Sequence, residues 1–281
     1  MEKFIPSGRP GLEVFHQLQK AKNVKWAVLD TGELGIWKTD LTYLRGQGDE
    51  KWWIPIWGSY IETPDAKIIV DCGQDPNDPE IKRRISYAGI AFGPIKQTPE
   101  QTYEYQLDKL GVKADDIDYV LYTHLHFDHT GATKLFTKAK HVCQMAEIRY
   151  AAKPDPFMLI SYCPSEYIPL LDLFEPIEGD VMIVPGVYCM STPGHTPGTM
   201  SILVMPAKGQ AFMLPGDCCY LRENFNDEWP PGFVYEPETF VASIRRQKRI
   251  VKELNATHWP SHDPEVFKEL KKAPAWQYND Y

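Results

Sequence analysis

The stretch Thr123-His124-Leu125-His126-Phe127-Asp128-His129-Thr130-Gly131 decides how this chain is read. It places three histidines and a carboxylate within six residues. It follows directly on Ile117-Asp118-Tyr119-Val120-Leu121-Tyr122, an apolar run that reads as a buried strand. Imidazole and carboxylate together suit a zinc-type metal site. Side chains alternate along an extended strand, so His124 and His126 point to the same side if the strand geometry persists. Asp128 and His129 come from the turn that follows and reach a second point in space. The stretch can therefore present ligands to two neighbouring metal ions. A merely polar loop gives no reason for four such groups to gather where an apolar strand ends.

Upstream, short strands are predicted at Trp26-Ala27-Val28-Leu29-Asp30 and at Trp53-Ile54-Pro55-Ile56-Trp57, running on to Tyr60-Ile61. Another is predicted at Lys67-Ile68-Ile69-Val70-Asp71, before the turn Cys72-Gly73. Residues 74–96 are rich in Pro, Asp and Gly and read as a long excursion from the core. Thr98-Pro99-Glu100-Gln101 predicts a helix start, and Tyr103, Leu107 and Leu110 keep helical spacing up to Gly111. Downstream, residues 139–142 predict a strand and 143–152 a helix. Residues 153–178 form an irregular apolar insertion between two groups of ligands; it reads equally as core or as the lining of a pocket. Strands are expected at 181–184, 187–191, 200–205 and 211–214. A helix is expected from Glu236-Pro237-Glu238, with the apolar stripe Phe240, Val241, Ile244, Val251 and Leu254. Residues 257–261 predict a last short strand. The order is strands, helix, strands, helix, strand. It predicts two β-sheets packed together with helices outside, in one domain over residues 1–281.

Composition narrows the partners. Of 281 residues, 43% are apolar and 24% charged, an ordinary globular balance with enough chain for a full core. The net charge is −8, and the densest basic run, Arg245-Arg246-Gln247-Lys248-Arg249, fits the wet face of a helix. Nucleic acid is therefore not expected as a partner. No apolar stretch approaches the roughly 18 residues that a membrane helix needs, and Met1-Glu2-Lys3-Phe4-Ile5-Pro6-Ser7-Gly8 lacks the apolar core of a signal peptide. The six cysteines show no paired spacing apart from adjacent Cys218 and Cys219. They read as reduced thiols, small core residues of a cytoplasmic protein.

Two metal ions need about seven protein ligands, so the opening motif is three short. Candidates lie in loops directly after predicted strands. His195 sits in Thr192-Pro193-Gly194-His195-Thr196-Pro197-Gly198, where Pro and Gly fix the backbone on both sides. Asp217 ends Leu214-Pro215-Gly216-Asp217, and a carboxylate can bridge two cations. His262 closes Trp259-Pro260-Ser261-His262-Asp263. His258 is its rival, but it lies mid-strand and is expected to point into packing. His16 and His141 have no comparable setting and read as structural or surface residues.

With these residues in place the chain resembles the metallo-β-lactamase superfamily, over roughly residues 26–263. The resemblance implies an α+β fold, an αββα sandwich of two mixed β-sheets flanked by helices, with the metals at one edge. It implies one metal on His124, His126 and His195, another on Asp128, His129 and His262, and Asp217 as the bridge. Asp71 resembles an aspartate that orients ligand histidines. Within the superfamily the chain most resembles the N-acyl-homoserine lactonases. It shares with them the Phe inside His-x-His-Phe-Asp-His, a Tyr three residues after the bridging Asp (Tyr220), and the region of residues 220–228. The long N-terminus and the Trp52, Trp53, Trp57 cluster depart from that family.

The resemblance implies two divalent ions, zinc foremost, and a lactone opened by a hydroxide that bridges them. Tyr220 would stabilise the oxyanion and Asp128 would pass a proton to the leaving alkoxide. Leu125, Phe127, Met158, Tyr162 and the early tryptophans are candidates for an acyl groove. A homodimer stays open. Other lactones, cyclic amides and the thioester of a glyoxalase II are alternatives on the same site, although no basic cluster for glutathione is evident. So is a mononuclear iron persulfide dioxygenase, in which Asp128 would not be a ligand. A non-catalytic binding protein would need a damaged ligand set, and all seven ligands are present.

Overall fold

A computed structural model describes residues 18–45, 50–87 and 92–280. The predicted strands are there, several of them longer or shorter than their apolar runs. The first sheet contains β1 (Lys25–Trp37), β2 (Lys51–Glu62), β3 (Lys67–Val70), β4 (Phe92–Lys96), β5 (Tyr119–Leu121) and β6 (Lys140–Val142). The second contains β7 (Val181–Val184), β8 (Val187–Ser191), β9 (Met200–Val204), β10 (Phe212–Leu214) and β11 (Thr257–His258). Strand β12 (Tyr278–Asn279) returns to the first sheet beside β1.

The order in the first sheet is β12-β1-β2-β3-β5-β6, with β4 also on β1; in the second it is β11-β10-β9-β8-β7. Both sheets are mixed. β3, β5 and β6 run parallel, as do β10 and β11, and the other pairs are antiparallel.

Period-two alternation puts one face of each sheet into a shared core. Trp26, Val28, Ile61, Ile68, Val70 and Leu121 meet Val187, Cys189, Ile202, Val204, Phe212 and Leu214 there. Trp26 stacks on Phe212 across the two sheets, ring centres 4.4 Å apart. Each fully buried aliphatic side chain in this layer stabilises the fold by about 1.5–3 kcal/mol. The outer face of the first sheet packs Leu29, Tyr60, Ile69 and Val120 against Tyr103 and Leu107 of helix Tyr103–Leu110. The outer face of the second packs Tyr188, Met190, Leu203 and Met213 against Ile250 of helix Pro237–Leu254. This is the αββα sandwich.

Three details differ from the sequence reading. The excursion over 74–96 comes back to the sheet, because its end is β4 paired with β1. The expected strand over 257–261 pairs only at Thr257 and His258, just before Pro260, which has no N–H to give. The insertion over 153–178 is divided. Met158, Tyr162, Cys163 and Tyr167 are core, Ser161 faces a cavity, and Phe157, Leu159, Ile168 and Leu171 are exposed. All six cysteines are free and buried. No helix among the described residues is long and apolar enough to cross a membrane. His16 lies outside the described residues.

Candidate metal centre

The seven candidate ligands come from loops at one edge of the sandwich and meet in two buried groups. His124, His126, His195 and Asp217 form one, and Asp128, His129, His262 and Asp217 the other. Asp217 belongs to both because its two oxygens face opposite ways. Oδ2 lies 3.5 Å from Nε2 of His195 and 3.7 Å from Nε2 of His124. Oδ1 lies 3.2 Å from Nε2 of His129 and 2.9 Å from Nε2 of His262. Oδ2 of Asp128 completes the second group, 3.7 Å from His129 Nε2 and 3.6 Å from His262 Nε2.

Local chain geometry explains the arrangement. After β5 the chain stays extended to His126, then turns into the short helix Phe127–Thr130, which carries Asp128 and His129 to the second group. Asp71, just past β3 with φ +56°, pins this segment. Its carboxylate accepts the Thr123 N–H and hydroxyl at 2.8 Å each, and Nδ1 of His129 at 2.8 Å. The loop of His195 is fixed by close approach. At Gly194, with φ +134°, a Cβ would lie 2.3 Å from the Phe240 nitrogen.

The remote ring nitrogens of His124, His129, His195 and His262 are hydrogen-bonded, so the near ones are left to face the pocket, while the remote Nε2 of His126 is buried without a partner among the described residues. His262 Nδ1 donates to the Pro55 carbonyl at 2.9 Å, and His124 Nδ1 lies 3.1 Å from the Thr123 hydroxyl. His195 Nδ1 lies 3.0 Å from the Tyr220 hydroxyl. His195 Nε2 then sits 3.1 Å from His124 Nε2 and 3.0 Å from His126 Nδ1. Three converging lone pairs repel unless a cation lies among them. Nε2 of His129 is buried without a hydrogen bond. Ligands on a tetrahedral zinc ion stand about 3.4 Å apart, which matches the spacing in both groups. The residues fit two divalent ions.

Charge separates the two groups. Burial, with neighbouring histidines, holds His124 and His126 well below the usual imidazole range and His195 down to about 4. Burial acts the same way on His129 and His262, but the carboxylates of Asp217 and Asp128, joined at His129 by Asp71, outweigh it and raise both. Burial would raise Asp217, yet His262, His129 and His124 hold it well below the carboxylate range. The second group thus draws protons that an arriving cation would displace.

A cavity opens over the groups, lined by Leu34, Ile36, Ile54, Phe127, Ser161 and Phe233 beside Asp128 and Tyr220. Its apolar wall differs from the one expected. Phe127 is there, but Leu125, Met158 and Tyr162 are packed into the helical layer. The long β1–β2 pair supplies the wall instead, with Leu34 opposite Ile54. Trp57 turns behind the site and donates to the Ser261 carbonyl at 2.5 Å. His258 is not part of either group; Nε2 bonds Oε1 of Gln247 at 2.8 Å and the ring stacks on Phe225. His141 is buried and structural.

Three supporting residues are inconspicuous in the sequence. Ser261 donates to Oδ1 of Asp217 at 2.9 Å. The Ser161 hydroxyl is buried with no partner among the described residues. Glu147 is fully buried beneath the ligand loops; burial raises its carboxyl, and Thr196, Leu125, Tyr162 and Gly198 bond it.

A family model described as the metallo-beta-lactamase superfamily matches residues 53–237. The N-acyl homoserine lactonase AiiA of Bacillus thuringiensis subsp. kurstaki is 33% identical over 226 residues, 79% of this chain and 87% of that protein. The N-acyl homoserine lactonase AttM of Azorhizobium caulinodans is 28% identical over 265 residues, 90% of this chain and 98% of its own. A solved N-acyl homoserine lactone hydrolase, with the product N-hexanoyl-L-homoserine bound at its catalytic metal centre, superposes with a TM-score of 0.80. It is 27% identical, and the match covers 92% of this chain and 99% of that one.

Proposed function

The chain belongs to the metallo-β-lactamase superfamily, and from that membership we propose that it is a two-metal lactonase that opens N-acyl-homoserine lactones, and so a quorum-quenching enzyme. The observation that carries the reading is the pair of ligand groups sharing Asp217, in a chain similar over most of its length to N-acyl homoserine lactonases. Two divalent ions, zinc in our reading, would lower the pKa of water towards neutrality and polarise the lactone carbonyl. His124, His126 and His195 would hold one ion, Asp128, His129 and His262 the other, and Asp217 both.

The remaining work falls to side chains around the cavity. Burial, together with the negative charges of Asp217 and Asp128, raises Tyr220 well above the usual phenol range, so its hydroxyl keeps its proton. If His195 donates through Nδ1, Tyr220 accepts there and its own O–H is free for the oxyanion that develops on the carbonyl. Asp128 lines the same cavity and is our proton carrier to the leaving alkoxide. The wall of Leu34, Ile36, Ile54, Phe127 and Phe233 excludes water and takes the start of the acyl chain. Ser161, a buried hydroxyl in that wall, offers the substrate amide a hydrogen bond.

Base uptake in a pH-stat tests the assignment, because each opened lactone releases one proton. Zinc-loaded protein should open N-hexanoyl-homoserine lactone and leave a β-lactam and a glutathione thioester untouched. Turnover of the thioester or β-lactam without the lactone would overturn it.

A further inference from the structure

One buried acid outside the two ligand groups joins the loops that carry them. Oε1 of Glu147 accepts the Leu125 N–H at 3.0 Å and the Tyr162 hydroxyl at 2.8 Å. Oε2 accepts the Thr196 hydroxyl at 2.5 Å and the Gly198 N–H at 3.2 Å. Leu125 stands between His124 and His126, and Thr196 follows His195. Tyr162 in turn packs edge-on against His126, ring centres 4.7 Å apart. The Gly198 loop also lies hard on Glu147, since a Cβ at Gly198 would come within 2.2 Å of the Glu147 nitrogen. All four of these partners are neutral. A buried carboxylate persists only where such bonds replace its lost hydration, and simple packing here would be served by an apolar residue.

We propose that Glu147 is a positioning residue for the first metal position, fixing the His124–His126 segment and the His195 loop at the separation at which three imidazoles meet. The inference rests on the two-metal reading above. Its contacts run to the loops of His124, His126 and His195 and to none of Asp128, His129 and His262, so its effect falls on one ion. In Glu147→Gln the shape is kept, but one acceptor oxygen becomes an NH2 facing two donors. That repulsion pushes one loop away from the other.

The test is zinc binding by the full chain, read by elemental analysis and by competition with a chromophoric chelator. Wild type should hold two zinc ions. Glu147→Gln should keep one at unchanged affinity and bind the other about 10–100-fold more weakly, the usual effect of losing a group that orients ligands. His262→Ala, which damages the second position, should retain one ion, and the double variant should hold that remaining ion about 10–100-fold more weakly than His262→Ala does. If Glu147→Gln does not fold, Thr196→Val removes a single one of the four bonds and should weaken the same ion by a smaller factor. Two ions at wild-type affinity in the variants, or both lost in step, would overturn the proposal. A wild type that binds fewer than two zinc ions would instead sink the two-metal reading, and the proposal with it.

Discussion

The hydroxyl of Tyr220 lies 3.0 Å from Nδ1 of His195, on the side of that ring away from the nitrogen that faces His124 and His126. The tyrosine ring is at the same time 5.4 Å, centre to centre, from His195 and from His262. It therefore touches one histidine of each ligand group, and its role can be separated from theirs by measurement.

Tyr220→Phe should lower kcat for N-hexanoyl-homoserine lactone by about 10²–10³-fold, the loss expected for one oxyanion donor. Zinc content should stay at the wild-type value, because no ligand is removed. Steady-state kinetics and elemental analysis on the same preparation decide it. An unchanged kcat would leave the hydroxyl only its contact with His195.

Asp217→Ala should cost both ions, since each carboxylate oxygen serves a different group. The variant should carry less than half the zinc of wild type and show no measurable turnover. Retention of full zinc would mean that the two groups do not depend on a shared carboxylate.

His262→Ala and His258→Ala should part company. The first should halve zinc content, because His262 Nε2 lies 2.9 Å from the Asp217 oxygen of the second group. The second should keep both ions and lose about 1–3 kcal/mol of stability, through its bond to Gln247 and its stacking on Phe225. Urea unfolding alongside metal analysis gives both readings.

Ser161→Ala should raise KM several-fold, about 2–10-fold for one neutral hydrogen bond, and leave kcat nearly unchanged. The comparison needs substrates with and without the side-chain amide. If the lactone lacking the amide suffers equally, Ser161 contacts another part of the substrate.

Acid should destabilise the fold through His141. Burial lowers its pKa, only partly offset by its bond to the Phe136 carbonyl. Its Nε2 lies 2.9 Å from that carbonyl and its Nδ1 2.8 Å from the Tyr122 hydroxyl, inside a core that gives a charged ring no access to solvent. The folded pKa lies below the unfolded value of about 6.5, so this contribution is complete above pH ~6.5 and is lost as the pH falls below it. In chelator-treated protein, the urea midpoint of wild type should drop more between pH 7 and 5 than that of His141→Gln. Parallel slopes would remove His141 from the acid response.

The candidate ligands were legible because each is a chemically conspicuous residue at the end of an apolar run. Asp71, Asp128 and Asp217 follow strands or turns that could be placed from periodicity alone, and His262 could be preferred over His258 by its place in the strand. The groups that support them were not legible in the same way. Glu147 looks like one more helix-face acid in Met145-Ala146-Glu147, and only the docking of two loops onto it shows four donors around its carboxylate. Likewise Leu34 and Ile54 are ordinary strand residues until the long β1–β2 pair carries them to the cavity. Leu125, Met158 and Tyr162 were candidates for the acyl wall by their nearness to the ligands in sequence, yet they face the helical layer.

The division of ligands between the sheets governs when the site can come into being. Four of them follow β5 of the first sheet; His195, Asp217 and His262 hang from strands of the second, with helix Pro237–Leu254 between the last two. No fragment that stops before His262 contains a full set, and neither sheet holds one alone. The first group is complete in sequence at Asp217, whereas the second waits for His262, so loading of both positions would come after translation of nearly the whole chain and after the sheets have docked. Ions held there would act as a rivet across the seam, so a chelator should loosen the joint between the layers as well as stop the chemistry.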